Sequence, residues 1–274
     1  SHAVPGTLAA GTDVLRDGRG LTLSFSRWYP ASLSTRFEKG ILGYGWQHSL
    51  DYRLERADAN TVKIYQPGGA VRSFFKDSGV WTAAAGDNAE LKELGIVGLP
   101  VSAFELRERS GFLWRFNSEG RMIAYTDSSG RHSVTLTHAS GRIVKLRHSD
   151  GQEITLSYNG DRLASLTDDL GRTTTYTYDA TGDFLVTVTT HDNRTIEYAY
   201  ITEPGSPRHR ALASITSPEG VVLSYDFNSA GVVSSIHANT GQQRVNIAYG
   251  EFGDVTLTNL EGATVTTHSG VSGE

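Results

Sequence analysis

Apolar and polar positions alternate with a period of two along most of the second half of the chain. Val134-Leu136, Ile154-Leu156-Tyr158, Ile196-Tyr198-Tyr200 and Val245-Ile247-Tyr249 put apolar groups on one side. Thr135-Thr137, Thr155-Ser157, Glu197 and Asn246-Ala248 fall on the other. This is the pattern of half-buried β-strands, and Val, Ile, Thr and Tyr suit a pleated surface. The strands are punctuated at fixed places. An aromatic residue followed by three residues and a glycine occurs at Phe116…Gly120, Tyr178…Gly182, Phe227…Gly231 and Tyr249…Gly253. In three of these Asn117, Asp179 or Asn228 follows the aromatic, and a hydrophobe (Met122, Phe184, Val233, Val255) lies two positions beyond each glycine. Shorter-turn versions stand at His138…Gly141 and Tyr158…Gly160. A second series, Gly111, Gly130, Gly151, Gly171, Gly220, Gly241 and Gly262, advances by 19, 21, 20, 49, 21 and 21 residues. The long step has room for two units and an insertion around Glu203-Pro204-Gly205-Ser206-Pro207. A period of about 21 residues marks a repeat architecture.

The turn residues have a physical reason. A short hairpin loop needs a residue at positive φ, which glycine adopts without steric cost, and Asn or Asp can accept hydrogen bonds from its own turn. Each unit is therefore one β-hairpin. A lone hairpin is marginal in water, so successive hairpins must stack edge to edge in one sheet. The expected fold is all-β: stacked antiparallel hairpins in a curved, spiralling sheet.

The first third is β-rich but out of register with the repeat. Leu21-Leu23-Phe25 and Leu50-Tyr52-Leu54 alternate, and Val62-Ile64, Gln66-Pro67-Gly68-Gly69 and Val71–Phe75 read as a hairpin. Asp87 as N-cap, Glu90 three residues on and Gly95 at the end predict a short helix over 88–94. Residues 30–45 are irregular and are expected to cap the open end of the sheet. The expected division is a tag or linker over 1–11, an opening module over 12–110 and hairpin repeats over 111–274.

Composition narrows the function. The 30 glycines stand beside only 7 prolines among 274 residues, which is turn punctuation rather than a disordered linker. With no cysteine there is no disulfide, cysteine nucleophile or zinc knuckle. A net charge of −5, spread along the chain, argues against a nucleic-acid partner. No apolar run approaches the ~18 residues of a membrane span, and no signal peptide is visible at Ser1.

The search for chemistry yields no catalytic, cofactor or metal residue. The nine histidines form no His-Glu-x-x-His spacing. His138 takes the place that Tyr158 and Tyr178 hold in their units, and His138 with His148 is the one pair that could face across a hairpin. Neither a hydrolase serine elbow nor a Walker loop is present. Asp168-Asp169 is the one adjacent acidic pair; it fits an inter-hairpin turn better than a two-carboxylate glycosidase site. Gly-Arg recurs at Gly18-Arg19, Gly120-Arg121, Gly130-Arg131, Gly141-Arg142 and Gly171-Arg172. It reads either as a basic stripe gripping an acidic cargo or glycan, or as strand-opening arginines paired across the ladder, which is the simpler reading. The 12 tyrosines could stack on sugars, but most fall on the apolar stripe and read as core.

Tyr178-Asp179-Ala180-Thr181-Gly182 with Phe184-Leu185, preceded by Gly171-Arg172-Thr173, resembles the tyrosine–aspartate (YD) repeat of the RHS family. Leu21–Arg27 followed by Leu42-Gly43-Tyr44-Gly45-Trp46-Gln47-His48-Ser49-Leu50 resembles the module that opens the RHS core, with Gly43, Gly45, Trp46 and Leu54 in its signature positions. The resemblance covers roughly residues 12–268. It implies a hollow β-shell that encloses a C-terminal toxin domain in bacterial polymorphic toxins and Tc-type toxins, or serves adhesion in teneurins. The implied partners are the toxin or cargo domain, neighbouring repeats, and type VI secretion-spike proteins of the VgrG and PAAR-like kind. The implied location is secreted or exported from a bacterium. Gly141-Arg142 and Gly171-Arg172 lack the Asp-Pro of the family's closing Gly-Arg-Asp-Pro run. The chain is thus expected to be the first stretch of a shell, an expressed fragment, and no self-cleavage carboxylate carries over. Its raw sheet edges predict self-association. The expectation is a non-enzymatic wall whose apolar, Thr/Ser-lined interior holds a partly unfolded toxin. An adhesion or glycan-binding surface is the alternative, and a glycoside or other hydrolase is a third.

Overall fold

The computed structural model describes residues 6–97, 102–239, 244–249, 255–259 and 264–267. Gly253 of the last aromatic–glycine pair and Gly241 and Gly262 of the second series lie outside these. Among the described residues the molecule is almost wholly β, with one 3-10 turn at Ser34–Phe37. Strand β1 (Thr7–Asp17) pairs antiparallel with β2 (Thr22–Pro30). The two-residue strands β3 (Lys39–Gly40) and β4 (Gly43–Tyr44) pair with each other, and β5 (Gln47–His48) joins β2. Next comes a four-stranded meander of β6 (Arg53–Asp58), β7 (Thr61–Tyr65), β8 (Val71–Asp77) and β9 (Val80–Ala83). From β10 (Glu90–Val97) onward every described strand pairs with the next, giving an open 17-stranded antiparallel sheet that does not close into a barrel.

The hairpins follow the repeat. Across a bulge, Phe116 pairs with Met122, Tyr158 with Leu163 and Phe227 with Val233, while Tyr178 pairs with Leu185, one residue past the Phe184 that the spacing marks; Tyr249 pairs with Val255 without a register shift. His138 pairs likewise with Ile143, in the place of a tyrosine. The series Gly111, Gly130, Gly151, Gly171 and Gly220 sits at the opposite turns, all with positive φ. Within the 49-residue step the missing marker is Asn193, at φ +60°, a conformation asparagine tolerates. The insertion is the connection between the strands Thr195–Tyr200 and Leu212–Thr216.

The two faces of the long sheet are segregated. One carries Val134, Leu136, Leu146, Ile154, Leu156, Leu166, Tyr176, Val188, Tyr198 and Tyr225, all buried in one core with Leu8, Leu23, Phe25, Tyr29, Leu42 and Trp46 of the opening segment. The other carries a threonine ladder, in which Thr167 meets Thr173 at 3.0 Å and Thr189 meets Thr195 at 2.9 Å. No single face is therefore both apolar and Thr/Ser-lined, and the apolar one is occupied by the chain's own beginning.

Four expectations need correction. Residues 88–94 are not helical; they enter β10, with Leu91 opposite Leu106 and Glu93 opposite Phe104. Asp87 does cap a turn, accepting from the Ala89 N–H at 3.0 Å, but a seven-residue helix is marginal alone and strand pairing prevails. Residues 7–11 are no linker: they lie in β1, where Leu8 and Ala9 are buried. The boundary at 110 does not hold either, because β10 and the strand Ser102–Arg107 already belong to the long sheet. Finally, residues 30–45 lie across the apolar face rather than over the sheet's end. The β10 end is met by β9, where Arg56 and Lys76 pair with Glu93 and Trp81 meets Phe104 edge-on.

Candidate functional site

The chemistry of the molecule is concentrated in the seam where the opening segment (residues 6–54) lies against the repeat sheet. Each signature residue of that segment has a task there. Gly43 has φ +82°, and a Cβ on it would stand 2.5 Å from the Asp183 carbonyl oxygen. The adjacent Tyr44 N–H donates to that oxygen at 2.8 Å. Gly45 has φ +83°, and a Cβ there would run into the Tyr29 ring. Trp46 donates its indole N–H to the Tyr200 hydroxyl at 2.8 Å and packs edge-on against Tyr198, with ring centroids 4.8 Å apart.

A buried ion pair sits beside the tryptophan. Arg27 donates through Nε to the Asp13 carboxylate at 2.8 Å, with both side chains 5% exposed or less. It also donates to the Tyr198 hydroxyl at 2.7 Å, while the Tyr176 hydroxyl donates to Asp13 at 2.6 Å. Burial alone would lower the Arg27 pKa; the Asp13 charge reverses this and holds the guanidinium ionised. Burial pushes the Tyr176 hydroxyl well above its ordinary value, and Asp13 adds to this, so it remains a donor.

The repeat tyrosines are latches. Tyr158, Tyr178 and Tyr200 donate their hydroxyls to the carbonyls of Ile143, Leu163 and Leu185, each at 2.7 Å and each 15 residues back. Each bond joins one hairpin to the strand before it. Tyr178 also reaches the Ile41 carbonyl at 3.2 Å, and the Leu163 N–H donates to the same carbonyl at 2.9 Å. Asp179 accepts the Asp183 and Phe184 N–H groups at 2.7 and 2.9 Å. Burial raises its pKa, but the Thr181 hydroxyl and these N–H bonds outweigh that and hold it below the usual carboxylate range. Asn117 and Asn228 hold the corresponding turns, each accepting the N–H groups two and four residues on.

The remaining predicted residues divide by their surroundings. Gly120 lies under β6: the Leu54 N–H donates to its carbonyl at 2.8 Å, and a Cβ on it would overlap the Leu54 carbonyl oxygen. Gly231 lies under the Pro207 carbonyl in the same way. Gly160 and Gly182 sit at turns of positive φ, and the Gly182 carbonyl accepts Arg162 at 2.6 Å. Phe116 is fully buried, while Phe227 lies beneath the Arg36 guanidinium at 5.1 Å. Tyr249 ends its strand opposite Val255. His138 and His148 do not face each other; His148 stands opposite Val134 and stacks on His132, centroids 6.1 Å apart. Asp168 is a buried turn residue that accepts from Leu170, Arg172 and the Arg172 guanidinium, and Asp169 takes Arg16 bidentately at 2.9 Å.

Sequence reasoning missed Asp13. It is the residue left over where β1 shifts register between Thr12 and Val14. Such a bulge re-aims a side chain, and alternation cannot display it.

One cleft opens along the seam, with a volume of about 250 Å³. Its polar lining comes from His48, Arg53, Arg121, His138 and Arg142, beside Asp51 and Tyr158. Burial, then the Arg121 charge, lowers the His138 pKa, and burial lowers that of His48. Burial pushes the Tyr158 hydroxyl up to about 12.

The opening segment is also where a known family meets the chain. Residues 7–74 match DUF6531, a domain of unknown function. That stretch runs from the start of β1 into β8 and contains every signature residue of the seam up to Leu54. Among solved structures, the crystal structure of TcdB2-TccC3-Cdc42 aligns with 78% of this chain at 13% identity and a TM-score of 0.46. The crystal structure of TcdB2-TccC3 without its hypervariable C-terminal region gives the same values, and that of TcdB2-TccC3 gives 14% and 0.45. The chain spans 12% of the length of each of these.

Proposed function

We propose that this chain is a wall segment of an RHS-type shell that encloses a C-terminal toxin domain and helps deliver it in bacterial competition, after export from the cell. The observation that carries the reading is the continuous hairpin ladder with one face sealed by the chain's own opening segment. Continuous pairing satisfies the backbone along the whole wall, and the seal leaves the threonine ladder as the wall's other surface. Neighbouring repeats extend the sheet, and secretion-spike proteins are the implied carriers. The wall has no catalytic task in this reading: Asp168 and Asp169 are both engaged in turn and ion-pair contacts. The adhesion reading depended on exposed tyrosines, and among the described residues every tyrosine whose burial is known is buried or half-buried.

The test is limited proteolysis of the full-length protein against its isolated C-terminal domain. Enclosure predicts that the domain survives inside the shell at protease levels at least about tenfold higher than it survives alone. Equal sensitivity in the two settings overturns the proposal.

A further inference from the structure

The seam cleft brings together side chains of the opening segment, β6 and the first repeat turns. Arg53 and Arg121 stand directly opposite each other on the one antiparallel bridge that joins β6 to the first repeat turn. Like charges in that position destabilise a sheet. The Arg121 guanidinium also extends toward the next turn, where a Cβ on Gly141 would stand 3.3 Å from it. Arg142 follows immediately and lines the same cleft. Three guanidinium groups from three elements thus border one small space, and Asp51 is the sole carboxylate in its lining.

Each arginine does have a neighbouring acid: Glu55 for Arg53 at 3.4 Å, Glu119 for Arg121 at 2.5 Å, and Asp161 for Arg142. These pairs are solvent-exposed, with side-chain exposures of 46%, 61% and 78% on the acids. Exposed pairs are worth about 0–1 kcal/mol, so a better-fitting anion can displace them. Arg142 also donates to the Gly160 carbonyl and lies over the Tyr158 ring at 5.5 Å, and Arg53 lies over the Tyr65 ring at 4.5 Å. Of the arginines that directly follow a glycine, Arg121 and Arg142 are the two that line this cleft beside Arg53. His48, His138 and Tyr158 add polar atoms, and the aliphatic part of the lining is Ile41, Leu50, Met122, Ile143 and Leu156.

We propose that this cleft is an oxyanion-binding site for a small ligand with a phosphate or carboxylate head and a short apolar body. The planar forks of Arg53, Arg121 and Arg142 match such a head bidentately, and the apolar floor takes the body. At about 250 Å³ the space falls below the ~300–1,000 Å³ of drug-sized pockets, so the ligand is small. The site does not rest on the shell reading and would stand without it.

Calorimetric titration of the protein with phenyl phosphate, phenylacetate, inorganic phosphate and phenol tests the assignment, with chloride holding ionic strength constant. At least one of the first two should bind saturably, about tenfold or more tighter than its head or body alone. Preference between them tells a phosphorylated ligand from a carboxylate. Arg121→Gln and Arg142→Gln should each weaken binding by about tenfold, while Arg131→Gln, at an exposed turn outside the cleft, leaves it unchanged. Arg142→Gln carries the test if Arg121→Gln does not fold. Absence of saturable binding of both ligands at about 20 mM overturns the proposal, as does binding that survives the cleft variants.

Discussion

Gly120 and Gly130 look alike in sequence and in backbone, with φ of +77° and +71°, but their surroundings differ. A Cβ on Gly130 would meet open space, whereas one on Gly120 would overlap the Leu54 carbonyl oxygen where β6 crosses the turn. Replacing each by alanine separates the two causes. Gly130→Ala carries only the left-handed backbone penalty, about 1–2 kcal/mol. Gly120→Ala adds displacement of β6 and should cost more than about 3 kcal/mol, in the range reserved for steric disruption of a core. Urea unfolding midpoints of the two variants measure the difference, and equal losses would mean that β6 yields to the added methyl. The same distinction explains the opening signature. Gly43 and Gly45 are doubly constrained, by φ and by close approach, whereas glycines such as Gly151 and Gly171 only turn the chain.

At the scale of elements, the seam is held by a polar cluster that no single strand contains. Asp13 comes from a bulge in β1, Arg27 from β2, and Tyr176 and Tyr198 from two repeat strands. Asp13→Leu leaves Arg27 buried without its counter-charge, which costs about 3–5 kcal/mol. Arg27→Met with Asp13→Leu removes both charges and should recover most of that loss. Guanidinium unfolding of the single and double variants checks this through their coupling energy; additive losses would mean that the pair is not the clamp. How much of this the sequence displays depends on the type of signal. Period-two alternation and the aromatic–glycine spacing place the hairpins from Phe116 onward, because strand and turn chemistry are local. The helix expected over 88–94 is also a local signal, yet it yields to pairing with the strand Ser102–Arg107, a contact no capping motif reports. Asp13 is illegible for a related reason: a bulge is a mismatch between two strands. The arginine cleft is half legible. The Gly-Arg recurrence is visible, but only the β6 bridge at Arg53 selects which arginines face a cavity.

For the whole molecule, the decisive relation is that residues 6–54 cover the apolar face of strands as far as 217 residues away. The Tyr225 hydroxyl donates to the Leu8 carbonyl, and the Tyr29 hydroxyl donates to the Arg210 carbonyl at 2.5 Å. These contacts close very long loops, whereas the hairpin ladder is local throughout. Local pairing forms readily and long-range docking pays a loop-closure entropy first, so the sheet can assemble before its lid is in place. Until docking, Tyr176, Tyr198 and the surrounding aliphatic side chains stand in water as one contiguous patch. Monomeric proteins seldom expose apolar patches beyond a few hundred Å². Deleting residues 1–50 makes that state permanent. The truncated chain should keep its far-ultraviolet β signal, bind a hydrophobic dye several-fold more strongly than the intact chain, and elute as oligomers in size-exclusion chromatography with light scattering. A monodisperse monomer with unchanged dye binding would show that the repeat sheet closes its apolar face without the opening segment.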